Sequence, residues 1–208
     1  MNQFSKSVLL SFAAFLCCAA PAWATVSLTL SDTSGAPNSQ VVGAGQTFSF
    51  TVNLVSTSEQ TDGVDYYLTT PNGSGFFSIT GRNTAGGMYN DPLYFSDTVV
   101  TSSPSNILNP RNDNDLGGLA TTTQGAGTKL VANLTLLVDP ATPNGIYTIN
   151  TTSNPGEGWL DPSSVDHPFT SHGAFTVSVP EPTTGLGLAL LALTGCIRRR
   201  GHHRGRRR

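Results

Sequence analysis

From Gln46 to Val55 the chain alternates, with Phe48, Phe50, Val52 and Leu54 on one side and Thr47, Ser49, Thr51 and Asn53 on the other. A period of two is that of a strand with one face buried and one face wet. Shorter runs rich in Val, Ile, Thr and aromatic residues predict further strands over Thr25–Leu30, Val64–Thr69, Phe76–Thr80, Leu93–Val100, Lys129–Val138, Ile146–Thr152 and Ala174–Val179. Turn-forming residues separate them, as in Pro71-Asn72-Gly73-Ser74-Gly75, Asn109-Pro110 and Pro143-Asn144-Gly145. No stretch between the two ends carries a 3.6-residue period. The expectation is an all-β class, a single antiparallel β-sandwich over residues 25–178.

Both ends break this pattern. Val8 to Ala20 is apolar almost throughout and follows Lys6. That run is too short for a membrane span, which needs roughly 20 residues. Ala22-Trp23-Ala24 then puts small residues where signal peptidase requires them, so residues 1–24 read as a signal peptide and Thr25 as the first mature residue. The C-terminal end has three parts: Val179-Pro180-Glu181-Pro182, an apolar stretch over 183–197, and an Arg-rich tail over 198–208. As a helix the apolar stretch is about 22 Å long, against a hydrocarbon core of about 30 Å. Snorkelling Arg side chains and local thinning of the bilayer make up much of the difference. Arg198, Arg199 and Arg200 directly behind the span stop transfer, and the positive-inside bias keeps the tail cytoplasmic. The expected order is an outside domain, one late transmembrane helix and an inside tail.

This series of parts resembles the PEP-CTERM sorting signal of bacterial exported proteins. The likeness lies in Pro180-Glu181-Pro182, the adjoining apolar stretch and the terminal Arg run. The resemblance implies an exosortase-like membrane protease acting near the motif, an inner-membrane intermediate, and a final place in the cell envelope, at the surface or outside. Glu181-Pro182-Thr183-Thr184-Gly185 is also similar to a sortase signal, but it has a carboxylate where such enzymes bury an aliphatic side chain, and an unpaired buried charge is costly. A plain membrane anchor shares the topology.

Charge is distributed unevenly. Seven of the 11 basic residues are Arg in the tail, whereas residues 25–180 hold Arg82, Arg111 and Lys129 against every acidic residue but Glu181. A domain this acidic is not a nucleic-acid binder. The three cysteines, Cys17, Cys18 and Cys196, all lie in the terminal segments, so the domain's stability rests on neither disulfides nor thiolate metal sites.

Two clusters carry candidate chemistry. Asn112-Asp113-Asn114-Asp115-Leu116-Gly117-Gly118 sets hard oxygen donors at alternate positions, as Ca²⁺ favours, with Asp113 and Asp115 as the metal ligands. The same residues populate turns for local reasons, and both readings stay open. Asp161, Asp166, His167 and His172 form the one group with acid–base potential, on a loop broken by Pro162 and Pro168 and with no nucleophile motif beside it. No catalytic residue is assigned. Adjacent aromatics, Tyr66-Tyr67 and Phe76-Phe77, send one ring to each face of a strand, and with Tyr89, Tyr94 and Phe95 they make a surplus that either stacks on sugars or is covered.

The middle of the chain also resembles cohesin-like sandwich domains, over roughly residues 26–180. The likeness rests on Gly45-Gln46-Thr47-Phe48 through Leu54, then Gly63 to Leu68, then Leu130 to Val138, the Asp139–Asn144 loop, and Gly145-Ile146-Tyr147-Thr148-Ile149. It implies a fold and no particular partner. The expected function is that of an exported, non-catalytic surface or matrix protein, adhering to other proteins or to exopolysaccharide. Its processing partners would be signal peptidase and an exosortase-like protease. The alternative is a secreted polysaccharide hydrolase, which would need paired carboxylates about 5–10 Å apart.

Overall fold

A computed structural model describes residues 24–33, 38–91, 106–109, 116–153 and 155–181. The described residues are all-β, without a helix longer than a single turn. The strands are β1 (Val26–Asp32), β2 (Ser39–Val41), β3 (Thr47–Ser56), β4 (Thr61–Val64), β5 (Tyr67–Thr69), β6 (Phe77–Asn83), β7 (Gly118–Gln124), β8 (Gly127–Val138), β9 (Gly145–Thr152), β10 (Gly158–Leu160), β11 (Asp166–Pro168) and β12 (Ala174–Val179). They pair into three four-stranded sheets, in the orders β1-β3-β8-β6, β2-β12-β9-β5 and β11-β10-β4-β7.

The alternation in β3 does what its period demands. Phe50, Val52 and Leu54 are fully buried, while Ser49, Thr51 and Asn53 face outward. Opposite it, β8 departs from strict alternation because Val131 and Ala132 are both buried. The register shifts there, from Val52↔Ala132 to Asn53↔Leu130, so one residue bulges and the strand regains its phase.

Aromatic rings join the first sheet to the second. Phe175 of β12 stacks on Phe50 at 5.2 Å and on Phe48 at 6.2 Å, and Tyr147 of β9 meets Phe77 of β6 edge-on at 5.4 Å. Two short segments close the sides. Residues 106–109 lace β6 to the chain after β5, through Leu108 N–H to the Phe77 carbonyl and Thr70 N–H to the Asn109 carbonyl. Residues 170–171 cover the outer edge of β1, where Leu28 N–H donates to the Ser171 carbonyl at 3.1 Å. Gly173 fits beside β1 because it has no side chain: a Cβ there would lie 2.8 Å from the Leu30 amide nitrogen.

Three expectations need correction or supplement. The stretch Val64–Thr69 is not one strand. It breaks at Asp65-Tyr66, where Asp65 N–H donates to the Gly158 carbonyl and the Tyr66 carbonyl accepts from Leu116 N–H, so the chain leaves one sheet and enters the next. The sandwich is also not wholly antiparallel, since β2 runs parallel to β12. Strands β2, β7, β10 and β11 were not expected, being short or rich in polar residues. The expected strand Leu93–Val100 lies outside the described residues.

Candidate interaction face and processing segment

The outward side of β2-β12-β9-β5 carries no charged residue. Its rows follow from the register: Val41, Ser178 and Ile146 stand side by side, and Ser39, Thr176 and Thr148 form the next row. Val41 is 76% exposed and Ile146 68%, the two most exposed large hydrophobic side chains among the described residues. The inward residues of the same strands, Phe175, Val177, Val179, Tyr147 and Ile149, are buried, so alternation forces the aliphatic pair outward. Beyond the end of β5, the Asn72 side chain serves the free edge of β9 in place of a strand. It accepts from Thr148 N–H at 3.1 Å and donates to the Ile146 carbonyl at 3.0 Å.

The segment after this face is the one singled out for processing. Val179 ends β12, paired with Gly145 and only 3% exposed. Pro180 and Glu181 follow at once and are exposed. Glu181 Oε1 accepts a hydrogen bond from the Asn144 side-chain amide at 3.1 Å. At the other end of the chain, Thr25 N–H donates to the Thr57 hydroxyl at 2.9 Å immediately before β1 begins. Ala24 is described and exposed. Ala22, Pro182, the stretch 183–197, the tail with Arg198, Arg199 and Arg200, and the Ca²⁺ candidates Asp113 and Asp115 lie outside the described residues.

The acid–base group is only partly brought together. Asp161 closes its own turn, with Oδ1 accepting from the amides of Ser163 (2.8 Å) and Val165 (2.9 Å) and Oδ2 facing His167 Nε2 at 3.1 Å. The Val165 amide first, then His167, hold the Asp161 carboxyl below its ordinary pKa. The His167 ring also stacks on Trp159 at 4.5 Å. Asp166 points elsewhere as an exposed strand residue, and His172 stands edge-on to Phe169 at 5.6 Å, where lost hydration lowers its pKa. The arrangement is that of a pinned turn.

Of the aromatic surplus, Tyr66, Phe77 and Tyr89 belong to the core. Tyr66 and Tyr89 are fully buried, Phe77 is 1% exposed, and Tyr67 and Phe76 are half-buried. Tyr94 and Phe95 lie outside the described residues. Burial pushes the Tyr66 phenol up to about 12 despite the nearby Arg82, which works the other way. Its hydroxyl has no hydrogen-bond partner among the described residues. Tyr89 is raised too, first by burial, with the Thr61 hydroxyl that it contacts opposing the shift. Arg82 donates to the Gly117 carbonyl at 2.9 Å. Sequence reasoning missed the Val41–Ile146 row and the Asn144–Glu181 contact. Both join positions far apart in the chain, and no local periodicity signals such a pairing.

No family model matches the chain, and no curated protein is detectably similar to it. Solved structures are. CaCohA2 from Clostridium acetobutylicum, solved in solution, aligns with a TM-score of 0.52 at 16% identity, over 76% of this chain and 93% of that one. A crystal structure of CaCohA2 in complex with CaDoc0917 aligns with a TM-score of 0.51 at 16% identity, over 74% and 99% of the two chains. A type I cohesin–dockerin complex from Clostridium thermocellum follows at 17% identity and a TM-score of 0.46. At such identities the likeness is one of fold: the chain is an all-β sandwich similar to cohesin domains.

Proposed function

We propose that the chain is an exported, non-catalytic surface or matrix protein whose sandwich adheres to another protein through the outward face of β2-β12-β9-β5. The observation that supports this reading best is the face itself. It is uncharged, and it aligns the exposed Val41 and Ile146 in one row. Exposed aliphatic side chains set among hydroxyls suit a protein partner. A sugar platform would offer open aromatic rings, and the aromatic side chain on this face, Tyr67, is half-buried. The sandwich resembles a domain that was crystallised in complex with another protein, CaDoc0917, which fits the same reading.

Delivery follows the sorting signal: export behind residues 1–24, a halt in the inner membrane at the apolar stretch 183–197, and cleavage near Pro180-Glu181-Pro182. Purified 25–181 fragment is to be tested against surface-protein extracts and a glycan array. Binding to a defined protein that drops at least tenfold in a Val41→Asp/Ile146→Asp variant with unchanged melting supports the face. Binding only to glycans, unaffected by the variant, moves the function to polysaccharide and to another surface.

A further inference from the structure

The fold leaves no spacer before the motif. β12 is paired through Val179↔Gly145, and the Val179 side chain belongs to the core. Two residues further on, Glu181 is held by Asn144. Asn144 is not on a loose loop. Its neighbour Pro143 accepts the Tyr147 hydroxyl at 2.8 Å, and Tyr147 is 6% exposed and packed on Phe77. At the start of the same turn, Asp139 Oδ1 accepts from Ala141 N–H at 2.7 Å and the Asp139 carbonyl from Thr142 N–H at 2.9 Å. The turn that holds Glu181 is therefore fixed to the body of the sandwich. From Val179 to Thr183, where the apolar stretch starts, an extended chain reaches about 14 Å at most. Any membrane-embedded protease acting on this motif works against the β8–β9 end of a folded domain.

We propose that the sandwich latches its own processing motif. Asn144 is a positioning residue that keeps Glu181 on the β8–β9 turn, and the segment must come off before a protease can take Pro180-Glu181-Pro182 as an extended peptide. This inference rests on the sorting reading given above. The geometry supplies the conflict: while the Glu181 side chain is held against Asn144 it cannot enter a protease subsite, and Val179, two residues before it, is committed to the β12–β9 ladder. Where opening and closing are fast relative to cleavage, the rate follows the population of the open segment. Loss of one net hydrogen bond raises that population about two- to tenfold.

The experiment is a pulse–chase of the full-length chain in its native host, following by mass the loss of the C-terminal segment that carries Arg208 from the protein in the membrane fraction. Asn144→Ala should be processed about two- to tenfold faster than wild type. Asn144→Asp, which sets a like charge against Glu181, should be at least as fast, and Asn144→Gln, which keeps the amide donor, should return towards the wild-type rate. A short Gly/Ser spacer between Val179 and Pro180 should remove the dependence on residue 144 altogether. Equal rates for wild type and Asn144→Ala, with both cleaved, overturn the latch and leave the sorting reading standing. If wild type, Asn144→Ala and the spacer chain all keep Arg208, the sorting reading is wrong and the latch falls with it.

Discussion

The two outer faces of the sandwich use the same residue types and finish them differently. On β1-β3-β8-β6 the polar side chains bond to one another: the Ser49 and Thr135 hydroxyls meet at 2.8 Å, and Thr51 donates to Asn133 Oδ1 at 2.8 Å. Gln40 reaches across from β2 to the Ser49 carbonyl of the same sheet at 3.3 Å. On β2-β12-β9-β5, Thr148, Thr176 and Ser178 stand in matching rows, but among the described residues no hydrogen bond joins their side chains, and Val41 and Ile146 lie open beside them. Both faces are uncharged in their central rows. Saturation of hydrogen bonds separates a face that is complete within the monomer from one whose hydroxyls and aliphatic groups remain available to a partner.

The largest effect expected lies beneath both faces. Phe50→Ala removes a fully buried ring that stacks on Phe175 and links the two sheets, and it should cost about 3–5 kcal/mol in chemical denaturation of the 25–181 fragment. A loss under about 1 kcal/mol would mean that the two sheets do not pack through this ring.

The sharpest test of the comparison is a pair of isosteric changes. Thr51→Val leaves Asn133 without its donor and should destabilise by about 1 kcal/mol. Thr176→Val on the opposite face should stay within about 0.5 kcal/mol of wild type. Equal effects from the two would erase the difference between the faces.

Smaller effects come from titration. His172 has a lowered pKa in the folded protein, so the unfolded chain binds the proton more readily, and stability should decline as pH falls below about 6.5. The decline is small because His172 keeps much of its surface in water. Asp161 adds a second, more acidic component. Its folded pKa is depressed, so the stability it contributes is present above the ordinary carboxylate pKa and is lost as pH falls through the folded value. Asp161→Asn should remove that component, and His172→Gln the one near neutral pH, each seen as a flatter melting temperature against pH.

The smallest expected effect is none at all. Reducing agent should leave the melting temperature of the 25–181 fragment unchanged, since Cys17, Cys18 and Cys196 all lie outside it.

How far the sequence could be read depended on how local each signal was. The strands with long alternating runs, β3 and β8, were legible because burial on one face imposes a period of two on neighbouring residues. The burial of Phe77 and the half-exposure of Phe76 follow from the same rule. The break at Asp65-Tyr66 was not legible. Apolar residues continue through it, and the interruption comes from Gly158 and Leu116, which are distant in the chain. β7 escaped notice because Thr121, Thr122 and Thr123 are exposed and so carry no alternation. For the candidate site, the end of the domain at Val179 could be seen in the alternation of Ala174–Val179 followed by Pro180.

By itself the sequence determined the all-β class, the inward residues of the main strands, the cysteine-free domain, and the run of motif, apolar stretch and Arg tail at one end. Each of these depends on residue type and near-neighbour spacing. Only the tertiary structure decided that β2 lies parallel to β12 and so sets Val41 in one row with Ile146, on either side of Ser178, and that Asn144 reaches Glu181. The physical reason is that a strand's period states which way a side chain points, whereas register and sheet order depend on which distant segments bury the same core together.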